Sequence, residues 1–128
     1  LEAMSGFYAQ ADVMLVTLKR DPIFATTIPS KVQSYMACGK PIVAGLDGEG
    51  GRLIKSSGAG LSSPAEDVNA LAKSILLMYT MPKEQREEMG RCGMVYCREN
   101  FDRDKLISKL EGWIGEVIFS RTSEEEVR

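Results

Sequence analysis

Two short apolar blocks, with one helical segment between them, constrain the fold of this chain more than any other feature. The blocks are residues 12–18 and 40–46, and neither alternates apolar with polar side chains. Uninterrupted apolar runs of this length are typical of strands that are covered on both faces, as in a parallel sheet. The segment at 29–38 begins with Pro29 and is followed by Gly39, which predicts a helix. Together they predict a β-α-β unit with parallel strands.

The flanking segments extend this unit on both sides. The pattern predicts a helix at residues 2–10, a loop at 19–28, a glycine-rich turn at 47–51 with a short helix at 52–57, and a third strand at 58–62. Three strands are few for such a sheet and the chain starts abruptly at Leu1. We therefore expect further strands upstream of this sequence.

Three helices are predicted after the third strand. The first starts at a capping box, Ser63-Pro64-Ala65-Glu66, the second runs from Pro82 to about residue 99, and the third has Asp102 as its N-cap. Apolar stripes at helical spacing predict their buried faces: Val68, Leu71, Ile75 and Met78 in the first, Met89, Cys92 and Tyr96 in the second, and Leu106, Leu110, Trp113 and Val117 in the third. The charged tail at 122–128 has no stripe and is predicted to fray. The fold class is α/β, with one domain at 1–121.

Composition limits the chemistry that this chain can perform. It has 128 residues with 16 Lys and Arg, 18 Asp and Glu and no histidine, which gives a net charge of −2. Without histidine there is no Ser-His-Asp triad and the commonest metal ligand is missing, so no metal site is predicted. The near-neutral charge argues against a dedicated nucleic-acid binder.

Three cysteines and the lack of long apolar runs indicate where the protein is located. Cys38, Cys92 and Cys97 form no C-x-x-C pair, and we interpret them as small core residues in a reducing compartment. No apolar run reaches the roughly 20 residues of a membrane span, and no signal peptide opens the chain. A cytoplasmic location is therefore predicted.

The start of the helix at Pro29 is the first candidate site. Proline presets the helical turn, so the amides of Ser30 and Lys31 are among the unpaired donors of the helix start. These amides, the helix dipole and the Lys31 ammonium favour a phosphate, and the Thr27 and Ser30 hydroxyls add neutral hydrogen bonds. The alternative is a capped helix whose lysine points into water.

The glycine turn is the second candidate site. Its glycines, Gly48, Gly50 and Gly51, permit close backbone approach to a ligand. The spacing matches neither the dinucleotide fingerprint nor a P-loop, so a tight turn is the alternative interpretation. We interpret Asp47 and Glu49 as solvated turn residues without a basic partner. Lys19 and Arg20, just after the first strand, are interpreted as a surface loop, with a weak anion contact left open.

The residues of these segments resemble a known family. Phe7-Tyr-Ala-Gln-Ala-Asp-Val-Met-Leu15, Ile28-Pro-Ser-Lys-Val-Gln-Ser-Tyr-Met-Ala-Cys-Gly-Lys-Pro-Ile-Val-Ala44 and Gly58-Ala-Gly-Leu61 resemble the retaining glycosyltransferases of family 4. The similarity covers roughly residues 3–115. It implies the GT-B fold, in which a C-terminal Rossmann-like domain holds the nucleotide-sugar donor. This chain then corresponds to an incomplete C-terminal domain, with a partial Rossmann-like sheet of about three strands.

The resemblance also implies roles for single residues. The loop ending in Pro29-Ser30-Lys31 resembles the stretch whose amides hold the donor diphosphate, so Lys31 is expected to stabilise diphosphate charge. The family usually has two glutamates at the positions of Thr26 and Ser34, and neither is acidic here. The turn containing Gly48, Gly50 and Gly51 resembles the loop that lines the donor sugar.

The function implied by the resemblance is sugar transfer. The parent enzyme is expected to be a retaining hexosyltransferase that needs no metal or other cofactor. It passes a sugar, such as N-acetylfucosamine, from a UDP donor to a glycan or lipid-linked acceptor in bacterial O-antigen or capsule synthesis. The parent is expected to touch the inner membrane face peripherally. A basic pair and the acceptor half lie upstream in the family, so the 128-residue chain is predicted to be inactive alone.

Two alternatives to this function remain open. One is another nucleotide-binding Rossmann-like domain, which the defective glycine fingerprint argues against. The other is a non-catalytic interaction module that keeps the scaffold. A sheet edge left exposed by missing strands is also expected to promote homodimers of the chain in isolation.

Overall fold

The protein is described by a computed structural model of residues 2–126, with side chains described at residues 4 and 6–122. Its elements in chain order are α1 (Glu2–Gln10), β1 (Met14–Thr17), α2 (Pro22–Ala25), α3 (Ser30–Ala37), β2 (Ile42–Gly45), α4 (Glu49–Ser56), β3 (Gly60–Ser63), α5 (Val68–Thr80), α6 (Lys83–Asn100) and α7 (Arg103–Glu126).

The three strands form one parallel sheet in the order β1-β2-β3. Met14 lies opposite Ile42, and Ile42 lies opposite Gly60 in the next strand. Both connections between neighbouring strands contain a helix, as parallel pairing requires. The predicted α/β architecture, a three-stranded parallel sheet flanked by helices, is confirmed.

The core lies between one face of the sheet and α3 and α4. Its fully buried side chains include Val32 and Met36 from α3, Ile42 from β2 and Ile54 from α4. The other face is covered over β2 and β3 by α5, whereas Leu15 in β1 is 53% exposed. The prediction that the first block is covered on both faces is therefore wrong for β1, because no helix of the described residues lies over that part of the sheet.

Two helices near the sheet differ from the predicted boundaries. The short helix α2 lies inside the predicted loop, where Asp21 caps it by accepting a hydrogen bond from the Ile23 amide at 2.8 Å. Helix α4 begins at Glu49, three residues earlier than predicted. It begins early because Gly48, with φ of 72°, completes the turn by itself, so Gly50 and Gly51 belong to the first helical turn.

The predicted capping box is wrong for α5. The helix begins at Val68, and Asp67 is its N-cap, accepting a hydrogen bond from the Ala70 amide at 2.9 Å. Ser63 instead ends β3, and its hydroxyl donates to the Ala44 carbonyl at 3.1 Å. Glu66 has a positive φ of 62° and lies before the helix.

The predicted apolar stripe of α5 is only partly buried. Met78 is buried, Leu71 is half-buried, and Val68 and Ile75 are 76% and 46% exposed. The cause is geometric. Helix α5 lies over β2 and β3 and does not cover β1, so α5 side chains on the side of β1 stay exposed.

Helix α6 packs on α3 through glycines rather than through its predicted stripe. Met89, Cys92 and Tyr96 are half-buried, while Gly90 and Gly93 are buried. A Cβ at Gly90 would lie 2.0 Å from the Gly39 carbonyl oxygen, so only glycine permits this approach.

Helix α7 begins where the sequence predicts. Asp102 accepts a hydrogen bond from the Lys105 amide at 3.0 Å, which confirms the N-cap. Its predicted stripe of Leu106, Leu110, Trp113 and Val117 is 47–57% exposed, so its prediction as a buried face is wrong. The helix continues to Glu126, where a frayed tail is predicted, and residues 127–128 of that tail lie outside the described part. None of the helices within residues 2–126 has the length and apolarity to cross a bilayer.

The cysteines are all free thiols. Cys92 and Cys97 are half-buried, and partial burial raises the pKa of the Cys97 thiol. Cys38 is exposed at the C-terminal cap of α3, so the prediction of a core position is wrong for this residue.

Candidate functional site

The carboxyl ends of β1 and β2 and the starts of α3 and α4 lie at the same edge of the sheet. Open parallel sheets bind ligands at this edge, because unpaired helix-start amides point toward it. Both candidate segments of the sequence lie here. The edge is therefore the candidate functional site of the chain.

The start of α3 offers two backbone donors. Pro29 is the N-cap rather than the first helical residue that the sequence predicts, and it makes no side-chain capping bond. The Val32 amide donates to the Pro29 carbonyl at 3.0 Å, whereas the amides of Ser30 and Lys31 make no hydrogen bond within the described residues. Both residues are exposed. Two amides at the positive end of a helix dipole are thus accessible to an anion.

Lys31 adds a full positive charge at the same helix start. Its side chain is exposed and forms none of the ion pairs found in the described part of the chain. An anion near the Ser30 and Lys31 amides is therefore within the field of an ammonium group that no carboxylate neutralises.

Three of the hydroxyl groups near this point donate to backbone carbonyls three or four residues earlier in the chain. Thr26 donates to the Ile23 carbonyl at 2.9 Å, Thr27 to the Phe24 carbonyl at 3.3 Å and Ser34 to the Ser30 carbonyl at 3.2 Å. A hydroxyl oxygen that donates still accepts. All three side chains are exposed, so a ligand that donates a hydrogen bond can reach them.

The three glycines of the turn bring parts of the chain together. A Cβ at Gly48 would lie 1.9 Å from the Ala25 carbonyl oxygen, and one at Gly50 would lie 3.1 Å from Pro29 Cδ. A Cβ at Gly51 would lie 2.8 Å from the Leu46 carbonyl oxygen. Gly50 thus allows the starts of α3 and α4 to meet. The sequence-based role of these glycines at a donor sugar remains a prediction.

Helix α2 lies across this edge and narrows it. The space that remains is a crevice lined by Leu18, Lys19, Asp21, Phe24, Ala25, Thr27, Pro29, Leu46, Asp47 and Gly50. Phe24 is 43% exposed, so part of its ring faces outward. The crevice has a volume of about 10 Å³, the space of about one water molecule. A phosphate group therefore has to bind outside it, over the exposed start of α3.

Arg20 and Asp47 form a polar cluster beside the crevice that the sequence-based interpretation missed. Arg20 Nε lies 3.1 Å from Asp47 Oδ2, and Arg20 Nη2 donates to the Ala65 carbonyl at 2.8 Å. The Ala65 amide donates to Asp47 Oδ1 at 3.0 Å, and the Arg20 amide donates to Glu66 at 3.2 Å. The interpretation of Asp47 as a solvated residue without a basic partner is wrong. The signal was present: both side chains directly follow neighbouring strands.

The hydrogen bond from the Ala65 amide is the main reason why the pKa of Asp47 is below its ordinary value. Partial burial opposes this effect, and the Arg20 guanidinium reinforces it. Glu49 is exposed as predicted, but it too has a basic partner, since it forms an ion pair with Arg52. Lys19 is exposed and forms none of the ion pairs found among the described side chains.

The exposed groups at this edge are of the kinds that favour an anion. It offers two backbone amides, one ammonium group and neutral hydroxyls, which together suit a phosphate group. No group of three or more histidine, cysteine or acidic side chains suited to a metal ion is found among the described residues.

Two comparisons with known proteins found glycosyltransferases. Residues 1–81 match a family described as glycosyl transferases group 1. The chain is 41% identical over 69 residues to a protein named "Probable glycosyltransferase WbjE" from Pseudomonas aeruginosa, which is 52% of this chain and 17% of that protein. It thus spans about a sixth of the length of this relative. No solved structure matches the chain significantly.

The family match extends from the first residue to the end of α5, so it includes all three strands and every candidate site residue. It covers more than half of the 128 residues. The chain belongs to the group 1 glycosyl transferases.

Proposed function

We propose that this chain is the donor-binding part of a retaining glycosyltransferase with the GT-B fold, of the family 4 type. The donor diphosphate binds at the start of α3, against the amides of Ser30 and Lys31. The observation that carries the proposal is this pair of unbonded amides beside an unpaired ammonium, within a chain of the glycosyl transferase family.

Sugar transfer needs this kind of site because negative charge grows on the diphosphate as the glycosidic bond breaks. Fixed donors that point at the developing charge lower the barrier. Lys31 and the helix start supply part of this stabilisation. Because the chain spans 17% of the length of its relative, the acceptor site and further basic groups are proposed to belong to the remainder of a longer protein. The 128 residues alone are expected to bind donor nucleotide without transferring sugar.

The finer identity of the reaction is also a proposal. The donor is a UDP-sugar, with N-acetylfucosamine as the sugar, and the acceptor is a hydroxyl of a glycan or lipid-linked intermediate in bacterial cell-surface polysaccharide synthesis at the cytoplasmic membrane face. The reaction uses no metal. Thr26 and Ser34 are exposed hydroxyl residues, so any contact they make with the donor is neutral and weaker than one through a carboxylate.

The test is a titration of the isotopically labelled chain with UDP, followed by the amide resonances in nuclear magnetic resonance spectra. The Ser30 and Lys31 resonances are expected to shift most. Lys31→Gln is expected to weaken UDP binding about two- to fivefold, as for an exposed charge contact of up to about 1 kcal/mol. Lys55→Gln is the matched control, because Lys55 lies in the last turn of α4, away from the candidate edge.

The alternatives predict different results in the same titration. Shifts with NAD but none with UDP would indicate another nucleotide-binding domain. A chain that responds to neither nucleotide would fit a non-catalytic interaction module, and the proposed donor site would then be wrong.

A further inference from the structure

Gly50 packs closely against the start of α3. It is the second residue of α4 and is buried. A Cβ at this position would lie 3.1 Å from Pro29 Cδ and 3.3 Å from Leu46 Cδ1. Carbon atoms in ordinary contact are about 3.5–4.0 Å apart, so a side chain at position 50 would press on both neighbours.

The backbone conformation of Gly50 does not itself require glycine. Unlike Gly48, Gly50 has no positive φ, and it lies within the helix, so alanine can adopt the same conformation. A Cβ at Gly48 or Gly51 would collide with a backbone oxygen, at 1.9 Å and 2.8 Å. At Gly50 the missing side chain serves only the close contacts with Pro29 and Leu46.

The two neighbours of Gly50 differ in how they can move. Leu46 Cδ1 is the end of a rotatable side chain, whereas Pro29 Cδ is bonded to the backbone nitrogen of its own residue. Any movement of Pro29 Cδ therefore moves the backbone. Ser30 and Lys31 come next in the chain and are exposed, so they can follow this movement toward solvent.

The start of α4 is held more firmly than the start of α3. The Asp47 carboxylate accepts a hydrogen bond from the Ala65 amide at 3.0 Å and another from Arg20 at 3.1 Å. Ile54, one turn further along α4, is fully buried. Pro29 is half-buried and leads into exposed residues. Pressure between the two helix starts therefore displaces the start of α3.

We propose that Gly50 is a positioning residue for the donor diphosphate. By lacking a side chain, it lets Pro29 settle against α4, and this contact sets where the amides of Ser30 and Lys31 point. Gly50 acts from the buried side and does not touch the donor. The inference rests on the proposed function, in which these two amides bind the diphosphate.

The experiment compares UDP binding by the original 128-residue chain and by Gly50→Ala. The added Cβ requires its neighbours to give by a few tenths of an ångström. Misplacement of binding groups by about 1 Å can cost on the order of 100-fold, so we expect UDP binding to weaken about three- to tenfold. The amide resonances of Ser30 and Lys31 are expected to move in the variant even before UDP is added.

Urea unfolding distinguishes positioning from support of the fold. Alanine is the better helix former and restricts the unfolded chain more than glycine does, which offsets the tight contact at Gly50. The urea midpoint of Gly50→Ala is therefore expected to stay close to that of the original chain. A weaker affinity for UDP that comes with a much lower midpoint would assign Gly50 a structural role only.

Gly112→Ala is the matched control. A Cβ at Gly112, in α7, would meet no atom of the described residues within 4 Å, so this variant is expected to bind UDP as the original chain does. A loss of UDP binding equal to that of Gly50→Ala would show that the effect is not local, and it would overturn the proposal.

A double-mutant cycle tests whether Pro29 transmits the effect. Pro29→Ala removes the ring carbon on which a side chain at position 50 presses. When Gly50→Ala is added to Pro29→Ala, we expect UDP binding to change by less than about twofold, because the contact that couples the two positions is gone. An equal loss in both backgrounds would show that Pro29 does not transmit the effect and would overturn the proposal.

The result with the original chain separates this inference from the proposed function. If the original chain binds UDP at Ser30 and Lys31 and Gly50→Ala binds it equally well, the positioning role is wrong and the donor site stands. If the original chain does not bind UDP, the proposed donor site is wrong, and the role of Gly50 is wrong with it.

Discussion

Asp47 links segments that are far apart in the chain. It follows β2 directly, yet its two carboxylate oxygens bind the Ala65 amide after β3 and the Arg20 guanidinium after β1. Three strand ends are thus tied together on the side of the candidate site. This arrangement keeps the α4 start in place, because Gly48 and Glu49 come immediately after Asp47 in the chain.

The lowered pKa of Asp47 predicts a stability that depends on pH. The folded-state pKa lies below the ordinary value of 3.8, so the contribution is fully present above that value and is lost as the pH falls through the folded-state pKa. Asp47→Asn is therefore expected to lower the urea midpoint at pH 7. The difference from the original chain is expected to shrink below about pH 4.

Urea unfolding at several pH values measures this difference. Glu49→Gln is the control, because Glu49 is exposed and pairs only with its helix neighbour Arg52. A constant difference between Asp47→Asn and the original chain from pH 7 to pH 3 would show that the carboxylate charge is not what holds the strand ends together.

Among the elements, α5 shows how a helix start is decided. The sequence predicts a cap at Ser63 with Glu66, whereas the observed N-cap is Asp67. The hydroxyl of Ser63 is committed to the Ala44 carbonyl, because Ser63 pairs in register with Gly45 at the end of β3. The helix can therefore begin only after the strand has left the sheet, and Asp67 is the first residue able to cap it.

Removal of this cap is expected to destabilise the chain. Asp67→Ala leaves the Ala70 amide without its partner, which costs about 0.5–2 kcal/mol of unfolding free energy. Asp67→Ser keeps an oxygen that caps and is expected to retain most of the stability. Denaturant unfolding of both variants measures the loss of unfolding free energy. Equal losses in both variants would mean that the side chain acts through its charge rather than as a cap.

At the scale of the whole molecule, the sequence predicted the features that neighbouring residues determine, but not the contacts between residues far apart in the chain. The first two strands followed from the apolar blocks, and the donor amides at Ser30 and Lys31 followed from Pro29, because both signals lie within a few neighbouring residues. The Arg20–Asp47 contact joins residues 27 positions apart. The position of both residues shortly after neighbouring strands was the one signal for it, and that signal becomes specific only once the order of the strands is known. The exposure of Leu15 also depends on which strand α5 covers, and that is fixed only when the sheet assembles.

The same reasoning predicts that the molecule unfolds in two steps. None of the described α7 side chains, which end at residue 122, belongs to the buried core, whereas α3, α4 and the sheet supply it. Elements with few buried contacts open at lower denaturant than the core. Helix α7 is therefore expected to melt first.

Trp113 makes this step visible, since it is the single tryptophan and lies in α7. Its fluorescence is expected to follow only the first step in urea, while far-UV circular dichroism follows both. The Trp113→Phe variant is expected to keep both steps in far-UV circular dichroism and to lose the fluorescence signal. One coincident transition in both signals would instead show that α7 and the core unfold as a single cooperative unit.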